Sequence, residues 1–217
     1  MSEHPQDPLL SHEQARVLAC LMEKHLATPN NYPLTINSLV LACNQKSNRE
    51  PVMNLTEGQV GHIVNELSEQ SFVSIDYGDR ANKMSHRAPG AFKITREEQA
   101  VLCMLMLRAP LTINDIKART ERMVTFDSID AVKATIDSLL DREEPIVVLI
   151  PKGSGQREDR YTHLLCGEPD LEAYAKASAP RSSTNNTAYE EKIAALEARI
   201  ERLENHLGLV HPTNETD

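Results

Sequence analysis

The chain has 217 residues, of which 40% are hydrophobic and 25% charged, with a formal net charge of −9. That length suits two small domains and a tail, and the acidic balance excludes the overall basic composition that marks many nucleic-acid binders. No apolar run nears the roughly 18 residues of a membrane span, and Met1 to Pro8 lack the order of a secretory signal, so a soluble cytoplasmic protein without a membrane role is expected.

The cysteines fit that compartment. Cys20, Cys43, Cys103 and Cys166 form no close pair, and the first three sit among apolar neighbours as buried free thiols do. The charge is unevenly placed, since residues 168–217 hold ten acidic and five basic residues.

The first expected element opens at Ser11-His12-Glu13-Gln14, a capping-box pattern in which Ser and Gln satisfy backbone donors. Ala15, Leu18 and Met22 then form a helical stripe, widened by Val17 and Leu21. Pro33-Leu34-Thr35-Ile36-Asn37 follows. Proline ends the first helix, Thr35 caps a second, and Leu34 can staple onto Leu39. A third helix starts at the box Thr56-Glu57-Gly58-Gln59 and buries Val60, Ile63, Val64 and Leu67. Phe72-Val73-Ser74-Ile75 reads as a strand. The loop Gly78 to Lys83 leads to a second strand.

The pattern then repeats. Thr95-Arg96-Glu97-Glu98 opens a helix carrying Val101, Leu102, Leu105 and Met106. Pro110-Leu111-Thr112-Ile113-Asn114 restates the earlier five residues, with Thr112 as cap and Leu111 able to pack on Ile116. Ser128 begins a third helix with Val132, Ile136, Leu139 and Leu140. The strand Ile146 to Ile150, the loop Lys152 to Arg157 and the strand Arg160 to Leu165 complete the copy.

Three helices and a β-hairpin make a winged helix. The fold class is therefore mainly α with small β-hairpins (α+β): two tandem winged helix-turn-helix domains, a linker and a C-terminal coiled-coil helix. The expected boundaries are 9–93 and 94–167 for the two domains, 168–187 for a flexible linker and 188–210 for the coiled-coil helix.

Three stretches carry a resemblance. They are Ala42-Cys43-Asn44-Gln45-Lys46-Ser47-Asn48-Arg49-Glu50-Pro51-Val52-Met53, Arg119-Thr120-Glu121-Arg122, and Arg157-Glu158-Asp159-Arg160-Tyr161. On them the chain resembles the YceH family, a bacterial group of uncharacterised tandem winged-helix proteins. The likeness spans about residues 9–166. It implies the fold and carries no activity or catalytic residue with it.

The tail has a seam. Ile193, Ile200 and Leu207 fall at heptad position a, and Leu196, Leu203 and Val210 at d. Isoleucine at a with leucine at d favours two parallel strands. Lys192 and Arg199 at g would face Glu197 and Glu204 at e of a partner. A parallel homodimer follows, and a lone amphipathic helix packed on its own body is the competing expectation.

Nothing points to catalysis, a cofactor or a metal. No CxxC, no Cys/His ligand spacing, no Gly-rich phosphate loop and no GxSxG elbow is present. DNA is the serious candidate, because such folds put the third helix in the major groove. The third helices are poorly suited to it. One exposes Glu57, Gln59, His62, Asn65, Glu66 and Glu69, the other Asp127, Asp130, Lys133 and Asp137, and carboxylates repel phosphates.

The better basic set lies on the first wing and the loop entering the first third helix: Lys46, Arg49, Arg80, Lys83, His86 and Arg87. The second wing adds Lys152, Arg157 and Arg160, diluted by Glu158 and Asp159. Two readings follow. One is a dimeric DNA-associated regulator gripping the phosphate backbone of duplex DNA. The other is an adaptor that docks a protein partner, as acidic tandem winged-helix proteins of chromosome-organising complexes do.

Overall fold

The computed structural model describes residues 8–153 and 156–170, with 174, 196, 198–200 and 202–204. The first repeat runs α1 (His12–Ala27), a 3₁₀ turn (Pro29–Asn31), α2 (Ile36–Cys43), α3 (Glu57–Glu69), β1 (Val73–Asp76), β2 (Lys83–His86) and α4 (Ala88–Phe92). The second runs α5 (Arg96–Leu107), α6 (Ile113–Thr120), α7 (Ile129–Leu140), β3 (Val147–Ile150) and β4 (Arg160–His163). The result is mixed α and β: helices with two small antiparallel hairpins.

Helix starts lie where side chains can satisfy the orphan amides. Ser11 Oγ accepts from the Gln14 amide, and Gln14 Oε1 accepts from the Ser11 amide. The same reciprocal box opens α3 at Thr56 and Gln59 and α5 at Thr95 and Glu98. Thr35, Thr112 and Ser128 cap α2, α6 and α7. In α6 the box is closed by Asp115, a pairing absent from the expected pattern. The short α4 was also unanticipated. Pro89 in its first turn suits a helix start, and Lys93 in the left-handed region (φ 51°) ends it.

The repeated pentapeptide has a second role besides capping. Its leucine pairs with the hairpin: Leu34 N donates to Met84 O (3.1 Å) and Met84 N to Leu34 O (2.8 Å). Leu111 and Tyr161 do the same in the second repeat, at 3.0 and 2.8 Å. Within the hairpins Ile75 stands opposite Met84 and Leu149 opposite Tyr161. Met84 and Tyr161 are therefore equivalent positions. So are Gly61 and Lys133, and Asn65 and Asp137, because Thr56 and Ser128 cap their helices.

The repeats share one core. Residues 15–22 of α1 and 98–107 of α5 are buried without a break, and the two helices pack on each other. Each repeat covers one side of its own first helix and the other repeat covers the rest, which is how a helix becomes buried all round. Close approach is evident where Cys103 Sγ donates to Ala19 O at 3.2 Å. Further links cross between the halves: Glu50 N to Leu107 O (2.9 Å), Leu10 N to Leu165 O (2.9 Å), and Arg142 to the carbonyls of Phe92 and Lys93, both 2.7 Å.

Residues 173–217, with 153–155, form a second unit. Leu196, Ile200 and Leu203 are helical and exposed (57%, 53% and 53%). Ile193, Leu207 and Val210, and most of the linker expected at 168–187, lie outside the described residues. No helix among the described residues is long and apolar enough to cross a membrane.

Candidate nucleic-acid interface

The first hairpin turns through Gly78 to Asn82. A side chain at Gly78 would bring its Cβ to 3.1 Å from Ala81 O, a tight contact that glycine avoids. This turn holds Arg80 out in solvent. Lys83 opens β2 opposite Asp76, exposed, with Nζ 3.4 Å from Pro33 O. Arg87 follows β2, also exposed, and donates to Ser74 Oγ at 3.2 Å. Lys46 is exposed in the loop between α2 and α3.

Two expected phosphate contacts need correction. Arg49 is 2% exposed. Its guanidinium pairs with Glu23 (2.6 Å), and it also donates to the carbonyls of Ala42 (3.1 Å) and Asn48 (2.9 Å). Burial pushes the Glu23 carboxyl up, but the hydrogen bonds and charge of Arg49 outweigh it and hold the group below its usual value. Arg49 is a buried strut that joins α1, α2 and the following loop. Its placement follows from desolvation, since a buried carboxylate demands a bonded cation.

His86 is the second correction. It is 9% exposed, with Nε2 2.9 Å from His25 Nδ1, and its amide donates to Tyr32 Oη at 2.6 Å. Burial, then the charge of His25, lowers its pKa to about 4, so it is neutral near pH 7 and cannot neutralise a phosphate.

In the second repeat Lys152 and Arg157 are exposed. Arg160 is half-buried and reaches Pro110 O (3.4 Å). Their loop is less positive than its counterpart, because Asp159 accepts from the Lys152 amide and Glu158 from Asn114.

The helices behind the hairpins keep their acidic character. Glu57 and Glu69 are exposed on α3, and Asp130 on α7. Two further carboxylates on these helices have partners within the protein. Glu66 lies 3.2 Å from His62 and accepts from Gln14 Nε2 at 3.0 Å, and Asp137 pairs with Lys133 at 2.7 Å. The first hairpin and its end thus hold three exposed cations, Arg80, Lys83 and Arg87, away from the α3 carboxylates in sequence.

Residues 10–156 match the family described as "Protein of unknown function, DUF480". A "UPF0502 protein" of Cellvibrio japonicus is 45% identical over 205 residues, covering 93% of this chain and 94% of that protein. One from Xanthomonas campestris is 40% identical over 212 residues, with 95% of each chain covered. One from Pseudomonas fluorescens is 39% identical over 216 residues, covering 97% of this chain and 99% of that one. The chain belongs to the YceH/UPF0502 family of uncharacterised bacterial proteins.

The stretch that carries the resemblance to the YceH family has a structural role here. Asn44 Nδ2 donates to Leu55 O and Asn44 Oδ1 accepts from the Leu55 amide, both at 2.8 Å. Arg49 binds Glu23, and Asn48 Oδ1 lies 3.4 Å from Arg119 Nη1 in the other half. Pro51 O accepts from Arg16 Nη2 at 2.7 Å. Arg16, 1% exposed, was not anticipated as a buried cation. Its position between Ala15 and Val17, inside an apolar helix segment, was the available signal.

Proposed function

We propose that this chain is a non-enzymatic, DNA-associated regulator built from two winged helix-turn-helix repeats and acting as a cytoplasmic homodimer through its C-terminal helix. The observation that carries the reading is the first hairpin. It follows three helices in the order of a winged helix, and it holds Arg80, Lys83 and Arg87 exposed. Lys46 adds a fourth exposed cation from the loop before α3. These side chains suit phosphate contacts, which position a protein on duplex DNA without reading sequence. The buried free thiols of Cys20, Cys43 and Cys103 support a reducing compartment.

The protein-docking reading keeps one supporting observation, the exposed carboxylates of α3 and α7, which suit a basic partner better than DNA. Duplex binding separates the two. Fluorescence anisotropy with mixed-sequence duplex DNA, titrated at low and moderate salt, should give saturable binding that weakens steeply with salt. Changing Arg80, Lys83 and Arg87 to Glu together should weaken it by several-fold or more and flatten the salt slope. Equal affinity and slope in the variant would remove the hairpin from the interface. No binding at low salt would leave the docking reading in front.

A further inference from the structure

The first repeat has a cleft of about 430 Å³ between the start of α2, the middle of α3 and the hairpin. Its floor is apolar, formed by Ile36, Ile75 and Met84. The carboxamides of Asn37, Asn65 and Asn82 and the ring of Tyr77 line it, and none of these four side chains makes a hydrogen bond to another of the described residues. Tyr77 is 76% exposed. No charged side chain is among the described residues that line the cleft.

The equivalent positions of the second repeat carry other side chains. Lys133 and Asp137, at the positions of Gly61 and Asn65, join in an ion pair of 2.7 Å. Tyr161 takes the position of Met84, and Asn114, the counterpart of Asn37, is bonded to Glu158 at 2.7 Å. Gly61 is among the residues that line the first cleft. It lies mid-helix, where glycine is the weakest former after proline. A Cβ there would meet nothing within 4 Å, so neither packing nor backbone conformation of the protein requires glycine.

We propose that this cleft binds a single unpaired nucleobase. The chemistry is specific to a flat, neutral heterocycle. Carboxamides offer a donor and an acceptor together, which pair with base edges; an exposed tyrosine offers a stacking face; and the uncharged lining accepts a base while refusing a phosphate. A phosphate attached to that base has Arg80 and Lys83 close by in the chain, flanking Asn82 in the same loop. Only this last contact rests on the DNA reading above. The base itself can come from a free nucleoside or from an unpaired position in a strand.

The test titrates full-length protein, labelled with ¹⁵N, with adenosine, cytidine, guanosine and thymidine at millimolar concentration, and with short oligoadenylate and oligothymidylate strands. Saturable shifts of the Asn37, Asn65 and Asn82 side-chain amides are expected. Gly61→Leu should abolish them while keeping a wild-type thermal transition, because leucine favours the helix. Tyr77→Ala, at an exposed site, should weaken binding by roughly fivefold to a hundredfold, the range of one base–aromatic stack. Binding that is tighter for strands and weakened by salt identifies a strand as the source. Binding equal for nucleosides and strands identifies the free nucleoside. Unchanged binding in Gly61→Leu, or no saturable shift with any of these probes, overturns the proposal. Duplex binding measured in parallel keeps the two readings apart: duplex binding with a silent cleft sinks only this proposal, and an occupied cleft without duplex binding sinks only the DNA reading.

Discussion

Arg49 and His86 show what a residue's type leaves open. Both are cations by reputation, both stand in a basic stretch of sequence, and both are inside the protein. For Arg49 the deciding partner is Glu23, which lies 26 positions earlier in the chain. Removing one member of a buried pair leaves the other charge uncompensated, at a cost of about 3–5 kcal/mol. Arg49→Ala should therefore lower stability by about that amount in urea unfolding. Adding Glu23→Met to Arg49→Met should recover much of the loss. A single Arg49→Ala variant as stable as wild type would show that the pair contributes little.

The buried histidines set a pH dependence. His86 and His163 both have folded pKa values lowered to about 4, with burial the first cause in each and a neighbouring histidine, His25 or His12, the second. Unfolded, each would titrate near 6.5. Between those values the unfolded chain binds protons that the fold refuses. Stability therefore falls as pH drops from about 6.5 towards 4, by up to about 3 kcal/mol for each group, and is insensitive to them above about 7. His25, Tyr32 and Gln99 face His86, and Arg96 adds positive charge beside His25. Chemical denaturation from pH 7 down to pH 4 should show this loss, and His86→Gln should flatten it. An unchanged slope in that variant would remove His86 from the account.

At the scale of elements, the sequence was most legible where local chemistry decides. Every expected N-cap, from Ser11 to Ser128, lies at a helix start. Capping needs only a side-chain oxygen and an amide three residues on, both visible in a short window. The hairpins were also legible, within two residues at their ends. The cleft was not. Gly61, Asn37 and Tyr77 come from three elements, and nothing local sets their proximity. In retrospect the repeat itself held a clue: aligning the copies places Gly61 against Lys133 and Asn65 against Asp137, a divergence that the shared fold does not require.

At the scale of the whole molecule, α1 and α5 make the two repeats one body. The fused core means that Val17 to Met22 and Val101 to Met106 serve both halves. A leucine fully buried there contributes about 1.5–3 kcal/mol, so separating the halves would expose several such residues at once. Oligomeric state belongs to this scale as well. If Leu196, Ile200 and Leu203 meet a second chain, sedimentation of the full protein should give a dimer, and a chain ending at Gly167 a monomer. The same state for both would exclude the tail as the dimerisation element.

The sequence by itself determined the three helices and two strands of each repeat, their caps, and the existence of two copies of one pattern, because each of these is written in contacts a few residues apart; the short α4 was not among them. The tertiary structure decided which charges face water. Arg16, Arg49 and His86 are drawn inward by partners distant in the chain, while Lys46, Arg80, Lys83 and Arg87 remain outside. It also brought the residues that line the first repeat's cleft together from separate elements. Both outcomes depend on desolvation and on side chains brought together from separate elements, and no window of sequence contains them.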